Sequence, residues 1–377
     1  MARRRVLHVV EDLNIGGLER VVQCIVLRLE REQYDVAVWC LARGGVIADE
    51  LKRKGVAVEI LGLHSYHNPF HVLSLALRMR KERFHIVHTH GYYAGTFGRL
   101  AAAIARVPAV IHHVHTVYLD LNPRHRRIER ILASLTGCVI CVAGAVREYL
   151  TTTVGIPRSK TCVLHNASIL ETEKCSPADI ESIRTAVEIH PGTQVITAVA
   201  ALNDNKGQAI LLEAFRSVAK AHPASKLVLV GDGPRKKALE EQARTSGLSS
   251  RVIFTGVLKD VSAVLLLTDV LVLPTTEREG LSLSLIEGTS AGLPLVGSRL
   301  GGIPEVIEHR QNGLLFRPGD AVDLAGAIGT ILGDPILKEK MGHCSREIFR
   351  TRFLPEIMID GIKAIYDTAL ERKAHAA

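Results

Sequence analysis

The stretch VLVLPTTEREGLSLSLIE, residues 270–287, reads as a short strand, a loop and the start of a helix. Val270–Leu273 is an unbroken apolar run, as a strand covered on both faces requires. Gly280 can leave Glu279 in the loop, and a helix starting near Ser282 then carries Glu287 one to two turns inside it. A helix N-terminus bears about half a positive charge and several unpaired N–H groups, so this turn is an anion site. There Glu287 could accept hydrogen bonds from sugar hydroxyls. A capped helix with a solvated glutamate explains the same residues, so the weight of the stretch depends on its surroundings.

Working outward, short apolar runs alternate with helical patterns along the whole chain. In the first half the strand candidates are Arg5–Val10, Asp35–Leu41, Ala57–Leu61, His85–His88, Ala109–His112, Cys138–Val142 and Thr161–Leu164. Leu18–Leu29, Val72–Lys81 and Gly95–Ala105 have helical spacing between them. A polar stretch, Glu171–Asp179, interrupts the series. It resumes with Gln194–Val199, Lys226–Val230, Arg251–Phe254, Val270–Leu273 and Leu295–Gly297. Strands alternating with helices imply parallel sheets, and two series imply an α/β chain of two doubly wound domains, 1–170 and 189–353. Ligands are expected at the carboxyl ends of the strands. A length of 377 residues suits two domains.

Composition narrows the function. Residues 1–180 carry 24 Lys and Arg against 16 Asp and Glu, while the remainder is balanced. A basic half suggests an anionic partner. Nucleic acid is disfavoured, because aromatic residues are 4% of the chain and no zinc-finger or RNP pattern occurs. Arg3–Arg5 followed by Val6–Val10 resembles the start of a signal peptide, but Glu11 and Asp12 end the apolar run too early. No apolar run approaches the length of a membrane span. Seven scattered cysteines suit a reducing cytoplasm better than a disulfide framework.

Of two glycine-rich turns, the first suits an anion site as well as a tight strand-to-helix turn. Gly16 and Gly17 lie between the first strand and the helix opening at Leu18, where bare backbone can approach an anion. Gly231-Asp232-Gly233-Pro234 reads as a turn. Downstream of Glu287 come AGLPLVGS (291–298), GGIPEVIE (301–308), NGLLF (312–316) and PGD (318–320). Upstream are NIGGLER (14–20), HTH (88–90), NDNKGQAILLEAF (203–215), KLVLVGDGP (226–234) and VIFTG (252–256).

In this order the motifs resemble the retaining glycosyltransferases of family 4, over nearly the whole chain and most specifically from Lys206 to Asp320. That resemblance implies a GT-B architecture of two Rossmann-like domains facing across a cleft. The first would bind the acceptor and the second the donor, with a closing helix (354–373) returning to the first. It implies transfer of a hexosyl group from a nucleotide-sugar, UDP-linked by expectation, to a lipid-linked or saccharide acceptor in polysaccharide or glycolipid synthesis. Glu279 would contact the donor sugar, Glu287 the ribose and Lys206 the diphosphate. His115 would lie beside the transferred sugar. Backbone amides at Gly16, Gly17, Gly280, Leu281 and Ser282 would complete the phosphate cradle. No metal or other cofactor is implied. One departure stands out: Ala201 occupies a position where the family usually has Arg, with Arg278 and Arg299 nearby in sequence. The rival readings are a GT-B nucleotide-sugar epimerase and a non-catalytic nucleotide-sugar-binding protein.

Ten of the 17 histidines fall between His64 and His125. His88 and His90 alternate on a strand and share a face, while His112, His113 and His115 are read as following the next strand. Such density could suggest a metal site, but no D-x-D pair exists to hold a divalent ion on a diphosphate, and the histidines are expected to line the cleft, with most of them structural. Cys138 and Cys141 fall on opposite faces of a strand and are read as buried thiols. The segment Pro69–Arg83 is an apolar helix ending in cations, and Arg124, Arg126, Arg127 and Arg130 form a second basic cluster. Both suit an anionic membrane surface at the inner leaflet, although helix-dipole pairing also explains the first.

Overall fold

The structure is a computed structural model and describes residues 3–63, 68–117, 122–168, 170 and 172–374. His64 and Glu171 lie outside these residues. The chain divides into two compact units, one formed by residues 1–167 with 354–377 and the other by 168–353. The polar stretch expected to separate two domains belongs to the second unit, where it leads into a helix, Pro177–Ala186, opened by a capping box of Ser176 and Asp179.

The first unit is built on seven parallel strands: β1 (Arg4–Val10), β2 (Tyr34–Cys40), β3 (Ala57–Ile60), β4 (Ile86–His90), β5 (Ala109–Val114), β6 (Cys138–Cys141) and β7 (Thr161–Val163). Their order is β3-β2-β1-β4-β5-β6-β7, so the strand order reverses between β1 and β4. Alternation along β1 gives the two faces different cores. Leu7 and Val9 pack with Trp39, Val72, Met79, Ala94 and Ala101, beneath the helices Pro69–Glu82 and Tyr92–Ala105. Val10 packs on the other face with Val22, Val26, Val38, Ile47 and Leu51, beneath the helices Gly17–Arg28 and Val46–Arg53.

That second face also carries a layer of imidazoles. His8 is in register with His88, and His90 with His113. The strand β5 runs through Val114, two residues beyond the sequence reading, so His113 and His115 share this face while His112 points away. His112 instead meets Thr89 at 2.9 Å. His8, His88, His90 and His113 are at most 1% exposed. They lie inside the unit rather than lining an open surface, contrary to expectation. The helix Pro355–Ala374 covers part of them, and the Tyr366 hydroxyl lies 2.8 Å from His88 Nδ1.

On the opposite face Arg99 is fully buried. Its Nη2 reaches both carboxylate oxygens of Glu129 at 2.7 Å, and its Nε donates to the Gly95 carbonyl at 2.8 Å. Cys138 and Cys141 do fall on different faces, but the nearer relation of Cys138 is to Cys162 on β7, with the two sulfurs 3.0 Å apart as free thiols.

The second unit has six parallel strands: β8 (Gln194–Val199), β9 (Ser225–Val230), β10 (Val252–Gly256), β11 (Val270–Leu273), β12 (Leu295–Ser298) and β13 (Gly313–Phe316). Their order, β10-β9-β8-β11-β12-β13, reverses between β8 and β11. The last strand was not anticipated. NGLLF is short and opens on Asn and Gly, both uncommon in strands, yet its pairing with β12 brings Phe316 into the core.

Candidate functional site

In an open parallel sheet the loops at the strand-order reversal splay apart and leave room for a ligand. In the second unit these are the loops after β8 and β11, which contain Lys206 and Glu279. Lys206 Nζ donates to Glu279 Oε2 at 2.7 Å, and Thr275 Oγ1 donates to the same oxygen at 3.1 Å. Both members of the ion pair retain partial solvent access, and Thr275 is fully buried.

Two glycines allow the loops to meet. Gly207 follows Lys206 with φ of +70°, and a Cβ there would stand 1.9 Å from the Pro274 carbonyl oxygen. Gly301, φ +54°, would place a Cβ 2.2 Å from the Glu279 carbonyl oxygen. Neither gap admits a side chain, so the Gly of KG and the first Gly of GGIP are spacers for this pair. The Thr276 amide donates to the Asn205 carbonyl at 3.0 Å and ties the loops together.

Glu279 is followed by the buried Gly280, Leu281 and Ser282. Ser282 caps the helix Leu283–Ser290 by accepting from the Leu285 amide at 3.4 Å. Glu287 lies in the second turn of this helix and is 7% exposed. Lys206, Glu279 and the amide-rich turn at Gly280–Ser282 are therefore together in one unit.

Ala201 is exposed on the loop leaving β8, where its carbonyl accepts from Gln208 Nε2 at 2.9 Å. The turn after β9 packs against this loop: Gly231 and Gly233 approach the carbonyls of Ala200 and Leu202 too closely for any side chain. It delivers Arg235, whose amide donates to the Leu202 carbonyl at 3.0 Å and whose guanidinium pairs with Asp204 at 3.0 Å. A cation that sequence reading missed thus adjoins the Ala201 loop. Only the folded turn reveals it, since Arg235 is 34 positions from Ala201.

In the first unit, Gly16 is the N-cap of the helix Gly17–Arg28. This helix start is not bare: the Glu19 carboxyl folds back so far that a Cβ on Gly16 would lie 2.2 Å from Glu19 Oε2. Burial raises the Glu19 pKa to about 7, with nearby Asp12 and Glu11 adding to the effect. A carboxyl whose folded pKa exceeds its unfolded value gives stability that is complete below about pH 4.5 and is lost as pH rises through 7. Glu19→Gln should therefore stabilise the chain above pH 7 by about 1–3 kcal/mol and have little effect near pH 4. Urea unfolding at the two pH values checks this.

His115 follows β5 and is half-buried. Its Nε2 lies 3.2 Å from His90 Nδ1, and its ring stacks on His113 with centroids 4.2 Å apart. Burial pushes its pKa down to about 3, so the ring is neutral at physiological pH. The same cause depresses His8, to about 3, and His88, His90 and His113.

Two Rossmann-like units, with a lysine–glutamate pair at the strand-order reversal of the second, define the GT-B class. Residues 15–171 match the model described as Glycosyltransferase Family 4, and residues 193–334 the model described as Glycosyl transferases group 1. The chain belongs to the family 4 glycosyltransferases and is an enzyme of that type. It is 26% identical over 368 residues to UDP-Gal:alpha-D-GlcNAc-diphosphoundecaprenol alpha-1,3-galactosyltransferase of Escherichia coli, covering 93% of this chain and 94% of the relative. It is 27% identical over 301 residues to the Bacillus subtilis putative glycosyltransferase EpsD, covering 76% and 77% of the two chains. Among solved structures it resembles HepE of Anabaena in complex with UDP. That match has a TM-score of 0.85 and 24% identity, and covers 97% of this chain and 100% of that one.

Proposed function

We propose that the chain transfers a hexosyl group, with retention, from a UDP-sugar to a lipid-linked saccharide in cell-surface polysaccharide or glycolipid synthesis. The Lys206–Glu279 pair carries this reading. Lys206 has three N–H donors and spends one on Glu279, leaving two for a diphosphate. Glu279, oriented by Lys206 and Thr275, can accept from a donor-sugar hydroxyl. The amides of Gly280–Ser282 add positive potential where the leaving diphosphate gains charge. Glu287 is assigned to the ribose, Arg235 to the role left vacant at Ala201, and His115, Gly16 and Gly17 to the first unit's contribution. In this reading the diphosphate is held by protein cations and amides, without a metal.

The two glutamates give the test. Glu287→Ala should weaken binding of free UDP, whereas Glu279→Ala should spare UDP and lose turnover. Equal effects on UDP affinity would refute the assignment. Product analysis separates the rival activities: a transferase releases sugar with its anomeric configuration retained, an epimerase alters the sugar ring, and a binding protein does neither. The named relatives and the family match favour the transferase.

A lipid-linked acceptor is supported by the surface of the first unit. Phe70, Leu73 and Leu77 form one exposed stripe on Pro69–Glu82, and Tyr93, Leu100 and Ile104 form another on Tyr92–Ala105. Arg80, Lys81 and Arg83 are exposed beyond the first stripe, and Arg124, Arg127 and Arg130 are exposed on the helix Pro123–Ser134. Apolar residues flanked by cations suit peripheral docking on the anionic inner face of a membrane, with each basic residue worth about 1 kcal/mol. No helix among the described residues is long and apolar enough to cross one. Cosedimentation with anionic liposomes should be strong at low salt and weak at high salt. Replacing Arg124, Arg126 and Arg127 by Ala should reduce it, and no change would favour a soluble acceptor.

A further inference from the structure

The imidazole layer of the first unit contains more nitrogen than its hydrogen bonds use. Both ring nitrogens of the fully buried His113 lack a partner, and so does His115 Nδ1. A buried polar atom without a partner costs about 1–3 kcal/mol, so a group left in this state calls for water or an ion. We propose that His90, His113 and His115 form a binding site for one divalent transition-metal ion of the zinc class.

The spacing of His90 and His115 suits an ion, and His113, whose ring stacks on His115, would turn to join them. One ring nitrogen from each of the three lies within 4.8 Å of the other two. His90 Nδ1 and His115 Nε2 are 3.2 Å apart. Two ligands at about 2.0–2.1 Å from a tetrahedral ion are about 3.3 Å from each other, so this pair is already at ligand spacing. The sheet fixes the arrangement, because His90 and His113 are register partners on β4 and β5 and His115 is two residues further along the same face.

Chemistry selects the ion. The group is entirely imidazole, a donor set that suits zinc, cobalt, nickel or copper and not magnesium or calcium, which prefer carboxylate and carbonyl oxygen. His115 is half-buried and gives a way in, leaving a fourth coordination position for water. A second triad, His8, His88 and His90, meets the same distance limit. It is at most 1% exposed throughout, and Tyr366 occupies His88 Nδ1, so the His113 triad is the more accessible. The inference uses the first unit alone but shares His115 with the UDP-sugar reading, so its test is binding of the metal alone with no nucleotide-sugar present.

Cobalt(II) added to the untagged, metal-stripped full chain is the test, read by its visible absorption and by metal analysis after gel filtration. One equivalent with the absorption of a tetrahedral nitrogen site is expected. Zinc should displace it and millimolar magnesium should not. His113→Phe should weaken cobalt binding by more than about 100-fold, exceeding the usual cost of losing an outer-shell partner. His8→Phe removes the ring that meets His90 Nε2 at 3.0 Å and should weaken binding by about 10- to 100-fold, less than His113→Phe. Should His113→Phe fail to fold, His115→Ala at the half-buried position must show the same loss. A wild-type chain that retains no cobalt, or full binding in both His113→Phe and His115→Ala, overturns the proposal. So does binding lost in His8→Phe and kept in His113→Phe.

Discussion

Arg99→Met should destabilise the first unit by about 3–5 kcal/mol, the usual cost of breaking a buried ion pair from one side. Arg99 is fully buried and forms a two-pronged contact with Glu129, itself 4% exposed. Methionine fills much of the volume, so the loss comes from the uncompensated carboxylate and not from a cavity. For a unit of this size the thermal transition should fall by on the order of 10 °C. The paired replacement Arg99→Met with Glu129→Leu removes both charges and should recover most of that loss. Calorimetry of the three variants measures it. A single variant within about 1 kcal/mol of wild type would show that the carboxylate finds water.

Lys206→Met should lower kcat by about 10²- to 10³-fold, the range for removing one preorganised donor from a developing anion. Met preserves length and helix compatibility while removing the charge that faces Glu279. UDP affinity should fall as well, by about 1.5–3 kcal/mol, the worth of a charge-assisted hydrogen bond. Single-turnover kinetics separates the two effects. If kcat is retained and only UDP binding changes, the diphosphate rests on Lys206 in the ground state alone.

The two sheets were largely legible because their central strands are runs of valine, leucine and isoleucine bounded by polar loops, and parallel strands buried on both faces leave that pattern. The edges were less so: β13 opens on glycine and borrows its burial from neighbours. The site was legible as motifs but not as contacts. Lys206 and Glu279 are 73 positions apart, and only the Gly207–Pro274 and Gly301–Glu279 approaches bring them together. Arg235 was missed for the same reason. The histidines on β4 could be placed on one face from their alternation. The cover over His88 could not, because Tyr366 lies on a helix that begins 265 residues after His90.

That helix has a consequence for synthesis. The ribosome makes residues 1–167 first, yet the Tyr366 hydroxyl that reaches His88 emerges only after the whole of 168–353. At about 5–20 residues per second the nascent sheet waits roughly 10–40 s for this cover. What waits under Tyr366 is a surface rich in imidazole, whose free nitrogens water can satisfy. An aliphatic surface exposed for that time would invite aggregation. Imidazole nitrogen that must find a partner in the finished molecule is thus easier to leave open to water around His88 while the chain is still being made.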